Sequence, residues 1–246
     1  MIISLSGRMG SGKDTVGEII QYLTGVDANG EFSKGLIWLH TSSFEIKKFA
    51  GKLKVIGSML SGVPVEYFED QDFKKRNMSS EWDHALVGED WVDSKPVLVP
   101  MTYREFLQKL GTEAMRDGLH TNVWVNALFA DYKGRVKEWD EFGNDLLVEY
   151  PNWVITDMRF PNELEAVVVR GGLTIRVNRK LKIGGEDYGY TYVDVKEAVK
   201  DGIMAPEHPS ETALDDARFD YVIDNDGTLD ELVQKVKNIL IEEGII

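Results

Sequence analysis

The chain contains no cysteine, which excludes disulfides, thiolate metal sites and a cysteine nucleophile. Histidine is scarce: His40, His84, His120 and His208 lack the spacing of metal ligands and read as surface or hydrogen-bonding residues. Positive charge is also short, with 28 Lys and Arg against 42 Asp and Glu and a formal net charge of −14. That balance opposes binding to duplex nucleic acid, whose affinity comes mainly from neutralised phosphates. Any cationic site must therefore be local. No apolar run approaches the roughly 18 to 20 residues needed to span a bilayer, and Met1 leads into a strand rather than a basic, cleavable leader. No membrane association and a cytoplasmic location are the expectations. No internal repeat or low-complexity segment interrupts the 246 residues, which are enough to bury a substantial core.

The most informative stretch is Gly7-Arg8-Met9-Gly10-Ser11-Gly12-Lys13-Asp14-Thr15. It follows the apolar run Ile2 to Leu5 and opens onto the amphipathic segment Val16 to Leu23, giving strand, glycine loop, helix. Such a loop aims several backbone N–H groups and the positive end of a helix at one point, which suits a polyphosphate. Lys13 adds a mobile cation. The spacing matches G-x-x-x-x-G-K-[ST] except that Asp14 stands where Ser or Thr is usual, with Thr15 one place later. Asp14 could hold Mg²⁺ directly or through water, and Thr15 would then contact phosphate. The plain alternative is a tight turn that happens to be rich in glycine. The motif alone does not separate a kinase from a GTPase or a motor.

Further along, 25–35 reads as a loop, 36–39 and Phe44 to Phe49 as extended, and Ala50 to Leu60 as a helix stopped by Ser61-Gly62. Lys47, Lys48, Lys52 and Lys54 cluster here, either as a solvated face or as a phosphate contact. The stretch 64–100 is the least regular, either folded over the sheet or acting as a lid. Thr102 and Glu105 fit a capping box. In the helix that follows, Tyr103, Phe106, Leu107, Leu110 and Ala114 form the expected core stripe, and Arg104, Gln108, Thr112 and Arg116 a polar one, either ordinary solvated surface or a face that recognises a nucleotide. Gly111 in mid-helix implies close approach by a ligand or a neighbouring helix. A second helix is expected over Asn122 to Tyr132, with Trp124, Val125, Leu128, Phe129 and Tyr132 inward, and a loop over 134–144.

Asn152 to Asp157 reads as a buried strand, with Arg159 just beyond it and Pro161 starting a helix. In open α/β sheets ligands bind at the carboxyl ends of strands, which places Asp157 and Arg159 on the edge of the phosphate loop. The alternative is a surface ion pair. Leu173 to Val177 is another strand, leading to Arg179; 180–211 is a long connection; Tyr221 to Ile223 is a last strand. Thr228 and Glu231 cap a terminal helix whose buried stripe is read as Leu229, Leu232, Val233, Val236, Ile239 and Leu240. Alternating strands and helices predict an α/β fold, a parallel sheet with helices on both faces. The expected organisation is one domain, 1–246, with insertions at 64–100 and 180–211.

Taken together, G-x-x-x-S-G-K-D-T, F-A-x-x-L-K at Phe49 to Lys54, R-x-x-L-Q-x-L-G-T at Arg104 to Thr112, Trp124, V-I-x-D-x-R-x-x-x-E at Val154 to Glu163 and I-x-N-D-G-x-L-x-E-L from Ile223 resemble the deoxynucleoside monophosphate kinases of large DNA bacteriophages. The resemblance spans nearly the whole chain, and that group shares the Lys-Asp-Thr variant of the loop. It implies a P-loop kinase fold, with transfer of the γ-phosphoryl of ATP to a deoxynucleoside 5′-monophosphate with Mg²⁺, in the host cytoplasm if the protein is phage-encoded. Gly10, Ser11, Gly12, Lys13, Asp14 and Thr15 would hold ATP and its metal. Lys54 and Arg104 would hold the acceptor phosphate. Gln108, Gly111, Thr112 and Trp124 would shape the deoxynucleotide pocket, with Asp157 and Arg159 beside sugar, base or transferring phosphoryl. Lys74, Lys75 and Arg76 fall near another phosphate-contacting position of the family, though the local match is poor, and Arg179 resembles the start of its lid. Lys13, Arg104 and Arg159 are the expected catalytic cations, and the resemblance also allows a homodimer. Competing readings are another small-molecule P-loop kinase, similar to dephospho-coenzyme A kinase, or a nucleotide-hydrolysing switch without an acceptor.

Overall fold

Residues 1–25, 42–85, 91–92, 95–96, 98–139, 145–179, 181–183, 186–190 and 209–246 are described by the computed structural model. The extended segment expected over 36–39, most of the loop over 25–35 and much of the 180–211 connection lie outside the described residues. Backbone packing divides the chain into two compact units, residues 1–48 with 129–246, and residues 49–128.

The first unit is built on a parallel five-stranded sheet of β1 (Ile2–Ser6), β2 (Phe44–Lys47), β3 (Asn152–Met158), β4 (Leu173–Asn178) and β5 (Tyr221–Asp224), in the order β5-β4-β1-β3-β2. All five residues of β1 are buried, as a central strand covered on both faces requires. Alternate side chains settle which helix covers which face. Ile3 and Leu5 join Val154, Ile175, Val177 and Ile223 in one cluster with Val16, Ile19 and Ile20 of α1 (Lys13–Leu23) and Leu232, Val236 and Leu240 of the terminal helix Leu229–Glu242. Ile2 points the other way, and a Cβ on Gly172 would meet both it and Val167 of the helix Pro161–Val168. Helices therefore cover both faces.

Register matters at one point. Between Ser4↔Ile155 and Ser6↔Met158 strand β3 carries an extra residue relative to β1, a bulge falling at Thr156 and Asp157. Bulges re-aim side chains beside functional sites. Two expectations fail in this unit. Leu229, the first residue of the terminal helix, is 40% exposed rather than part of its buried stripe. The loop read over 134–144 contains a strand, Arg135–Trp139, paired antiparallel with Asp145–Glu149, so cross-strand pairing outweighs the acidic local composition.

The second unit holds α2 (Gly51–Ser61), ended by left-handed Gly62 at φ 72°. Three short 3₁₀ turns follow at Val65–Phe68, Phe73–Lys75 and Ser80–Trp82. The helix α3 (Tyr103–Gln108) starts at the expected Thr102/Glu105 capping box but continues as a π-helix, Lys109–Asp117. Phe68, Met78, Phe106 and Leu107 form the unit's core, with Leu53, Trp82, Tyr103 and Leu110 packed against it. A π turn takes in an extra residue, so the α-spaced stripe slips. Ala114, read as core, is exposed, and Arg116, read on the polar stripe, is buried. Gly111 is explained by a neighbouring helix: a Cβ there would lie 2.8 Å from Leu53 Cδ2 of α2. The following helix, α4 (Val123–Phe129), buries Trp124, Val125, Leu128 and Phe129 as expected. Among the described residues no helix is long and apolar enough to cross a membrane.

Gly17 of α1 lies against β3, where an added Cβ would come within 2.6 Å of Thr156 Cγ2. Gly17→Ala gains about 1 kcal/mol in helix propensity and loses about 1–3 kcal/mol to overpacking. Since Thr156 is stiff and fully buried, overpacking wins, and urea unfolding should show a net loss of about 1 kcal/mol. Adding Thr156→Ser, which deletes only the opposing methyl, should restore most of it.

Candidate active site

Because β1 to β5 are parallel, their carboxyl ends share one edge of the sheet. That edge carries the Gly7–Gly12 loop after β1, Lys48 after β2, Asp157 and Arg159 at the end of β3, Arg179 after β4 and Asn225 after β5. The loop turns on Gly10 and Gly12, at φ 81° and 95°, a region closed to most side chains. Asn225 locks it: its Nδ2 donates to the Ser11 carbonyl at 2.8 Å, where a Cβ on Gly12 would collide with the same nitrogen.

Lys13 opens α1 and is only 7% exposed, its Nζ donating to the Arg8 carbonyl at 3.1 Å. Burial, followed by the nearby Arg159 cation, pushes its pKa below the ordinary lysine value, against the pull of Glu211, Asp14 and Asp157. Arg8 is anchored in turn. Its guanidinium meets Asp215 at 3.2 Å, and Asp215 also pairs with Arg176 of β4 at 3.1 Å. Arg176 reaches Ser6 Oγ at 3.0 Å. Burial lowers the Arg176 pKa and raises that of Asp215, each opposed by the partner charges.

Arg159 is positioned from behind. Glu163, 3% exposed, accepts the Arg159 and Phe160 backbone N–H groups at 2.8 and 3.1 Å, fixing the turn between β3 and its helix. The guanidinium of Arg159 pairs with Glu211, whose other oxygen accepts the Met9 N–H at 2.7 Å. Asp14 has an exposed carboxylate whose Oδ1 accepts from Thr156 at 3.1 Å and lies 3.6 Å from Lys48.

These residues fit a phosphate. Ser11 Oγ is buried without a hydrogen-bond partner among the described residues, beside two left-handed glycines and the buried ammonium of Lys13. They also fit the small protein share of a Mg²⁺ site. The described residues contain no cage of three or more His, Asp and Glu, but Mg²⁺ at phosphates is ordinarily held by one or two protein groups together with the phosphates themselves. Asp14 and half-buried Thr15 on the first turn of α1 could provide that share.

In the second unit, Lys54 pairs with Glu69 at 2.6 Å and Arg104 donates to Gln71 at 3.1 Å, so one short turn engages both cations. Lys75 pairs with Asp72 at an exposed position. Trp124 donates its indole N–H to the Gly111 carbonyl at 2.8 Å, tying the π segment to α4. Gln108 is exposed, Thr112 is half-buried, and in the first unit Arg179 is exposed. Reading the sequence missed Arg8, Arg176, Asp215, Glu211 and Asn225 as site residues. Arg8 lies inside the glycine-loop motif and Asn225 inside I-x-N-D-G, but nothing in the sequence marks Arg176, Asp215 or Glu211.

The fold and this edge define an α/β protein whose parallel sheet is covered by helices on both faces and carries a glycine-rich loop between its first strand and first helix. No protein-family model matches the chain. It is similar to a provisionally named deoxynucleotide monophosphate kinase of Acanthamoeba polyphaga mimivirus, 27% identical over 146 residues, 55% of this chain and 59% of that protein. It is equally similar to the deoxynucleotide monophosphate kinase of Enterobacteria phage T4, 27% identical over 138 residues, 56% of this chain and 44% of that protein. The matches thus span about half the length of these curated relatives. Among solved structures, dephospho-CoA kinase from Campylobacter jejuni aligns over 98% of this chain and 96% of its own, with 12% identity and a TM-score of 0.41. At that score it adds nothing to the fold already described. The motif resemblance and the two relatives agree.

The lowered pKa of Lys13 has a stability consequence with a definite sign. Below its folded pKa the lysine is charged in both states, and the folded state bears the burial cost; above the ordinary value of 10.5 that cost is gone. Lys13→Met should therefore raise the melting temperature of the ligand-free protein at neutral pH. The advantage should shrink as pH rises through the folded pKa towards 10.5, as a series of thermal melts would show.

Proposed function

We propose that this protein transfers the γ-phosphoryl group of ATP to a deoxynucleoside 5′-monophosphate, forming the diphosphate. The observation that carries the reading is the meeting, on one sheet edge, of a glycine cradle tipped by buried Lys13 with a second, backbone-clamped cation, Arg159. The similarity to proteins named deoxynucleotide monophosphate kinase supports the acceptor class.

Phosphoryl transfer asks little covalent chemistry of a protein; positioning and charge neutralisation lower the barrier. In this reading the N–H groups from Gly10 to Thr15 hold the ATP phosphates, and Lys13 neutralises their outer oxygens. Arg159 meets the charge that develops on the transferring group, with Asp157 beside it. Bound Mg²⁺, held by Asp14 and Thr15, would supply further neutralisation. Lys54 and Arg104 receive the acceptor phosphate, and Lys75 adds positive charge nearby. Gln108, Thr112 and the Gly111–Trp124 pair form the wall for the deoxynucleoside, the indole bond holding that wall rigid. Arg179 lies on the nucleotide side. A single kinase domain with inserted segments is the organisation this reading assumes.

A coupled assay of ADP release across the deoxynucleoside monophosphates, with dephospho-coenzyme A as a comparison acceptor and product diphosphate scored directly, tests the proposal. Turnover should require a deoxynucleoside monophosphate, and Lys13→Ala should lower it by at least about a hundredfold with the fold retained. Arg104→Ala should raise the acceptor KM by about tenfold or more, as expected for loss of a charge-assisted phosphate contact. ADP release that is independent of any acceptor, or that appears only with dephospho-coenzyme A, would overturn the assignment.

A further inference from the structure

Glu211 belongs to the short helical turn Pro209–Thr212 and is absent from every motif read in the sequence. Its two carboxylate oxygens are divided between the two kinds of donor that an anion at this edge would use. One accepts the Met9 N–H, inside the glycine loop, at 2.7 Å; the other pairs with the Arg159 guanidinium. The side chain is 15% exposed, so these contacts are partly withdrawn from water and charge-assisted. An ordinary Arg–Glu ion pair would leave the Met9 N–H to solvent. Here one carboxylate bridges a loop amide and the second cation, as a phosphate oxygen pair would.

We propose that Glu211 is an internal competitor for the polyphosphate. Its carboxylate stands in for an anion between the Met9 N–H and Arg159, and nucleotide binding displaces it. The inference rests on the reading that the loop holds a nucleoside triphosphate. Two consequences follow from the geometry. Nucleotide affinity is set below what the cradle alone would give, because each binding event must first break the two Glu211 contacts. Filling the loop also releases Arg159 from Glu211, so that this contact no longer competes with the transferring group once the phosphates are in place.

Equilibrium binding to the full chain by isothermal titration calorimetry, with ATP, inorganic tripolyphosphate and adenosine as probes, tests the competitor role. Glu211→Gln should bind ATP and tripolyphosphate about fivefold to tenfold more tightly than the natural protein and by the same factor, with adenosine unchanged. Glu211→Asp keeps the charge but shortens the reach, and should give a smaller gain in the same direction. Thermal melts identify any variant that fails to fold, and either variant alone suffices for the comparison. Unchanged ATP affinity in a folded variant, or a gain that extends to adenosine, overturns the competitor role while leaving the nucleotide site intact. Absence of ATP and tripolyphosphate binding in the natural protein and both variants overturns the phosphate-loop reading and this inference with it.

Discussion

The ammonium of Lys13 rests on the carbonyl of Arg8 with little access to water, and the arrangement around it follows from keeping that buried charge tolerable. A buried cation without compensation would deprotonate or unfold its surroundings. Here the compensation is deliberately incomplete: a backbone dipole and the carboxylates of Glu211, Asp14 and Asp157 partly offset burial and Arg159. A polyanion would complete it. The Ser11 hydroxyl, without a hydrogen-bond partner among the described residues, has the same character, a buried polar group whose cost on folding a ligand would recover.

Rigidity comes from elsewhere. Arg8, Asp215, Arg176 and Ser6 link the loop to β1 and β4, and Asn225 links it to the end of β5. Buried ion pairs contribute little net stability, because desolvation consumes most of the attraction, but removing one partner strands the other. Their value here is geometric: they hold the loop's backbone donors in a fixed array. Glu163 does the same for Arg159 through two backbone N–H groups.

Where structure is decided locally, the sequence announces it. The strand–loop–helix at residues 2–23, the buried run at Trp153–Ile155, Pro161 at its helix start, Gly62 at a helix end and the boxes at Thr102 and Thr228 all carry short-range chemistry that leaves few alternatives. What needed the third dimension was hidden. The hairpin from Arg135 is held by pairing with Asp145–Glu149, which its own acidic composition does not advertise. Glu211 and Asp215 sit at the end of a stretch without periodicity, so nothing local marks them as partners of residues some 200 positions earlier. The lysine cluster near α2 was ambiguous for a related reason: Lys54 and Lys48 find carboxylate partners, Glu69 and Asp14, that only folding supplies.

The change from α to π geometry after Gln108 is the clearest departure from a pattern that periodicity alone would continue. A π-helix is in effect an α-helix that has accepted an additional residue without breaking. Residues 109–117 are therefore a place where evolution can add or delete a single codon without opening a loop. Each such event would rotate Thr112 and Arg116 relative to Arg104 and reset which side chains share a face, a compact route by which one scaffold could re-sort its surface without lengthening a loop.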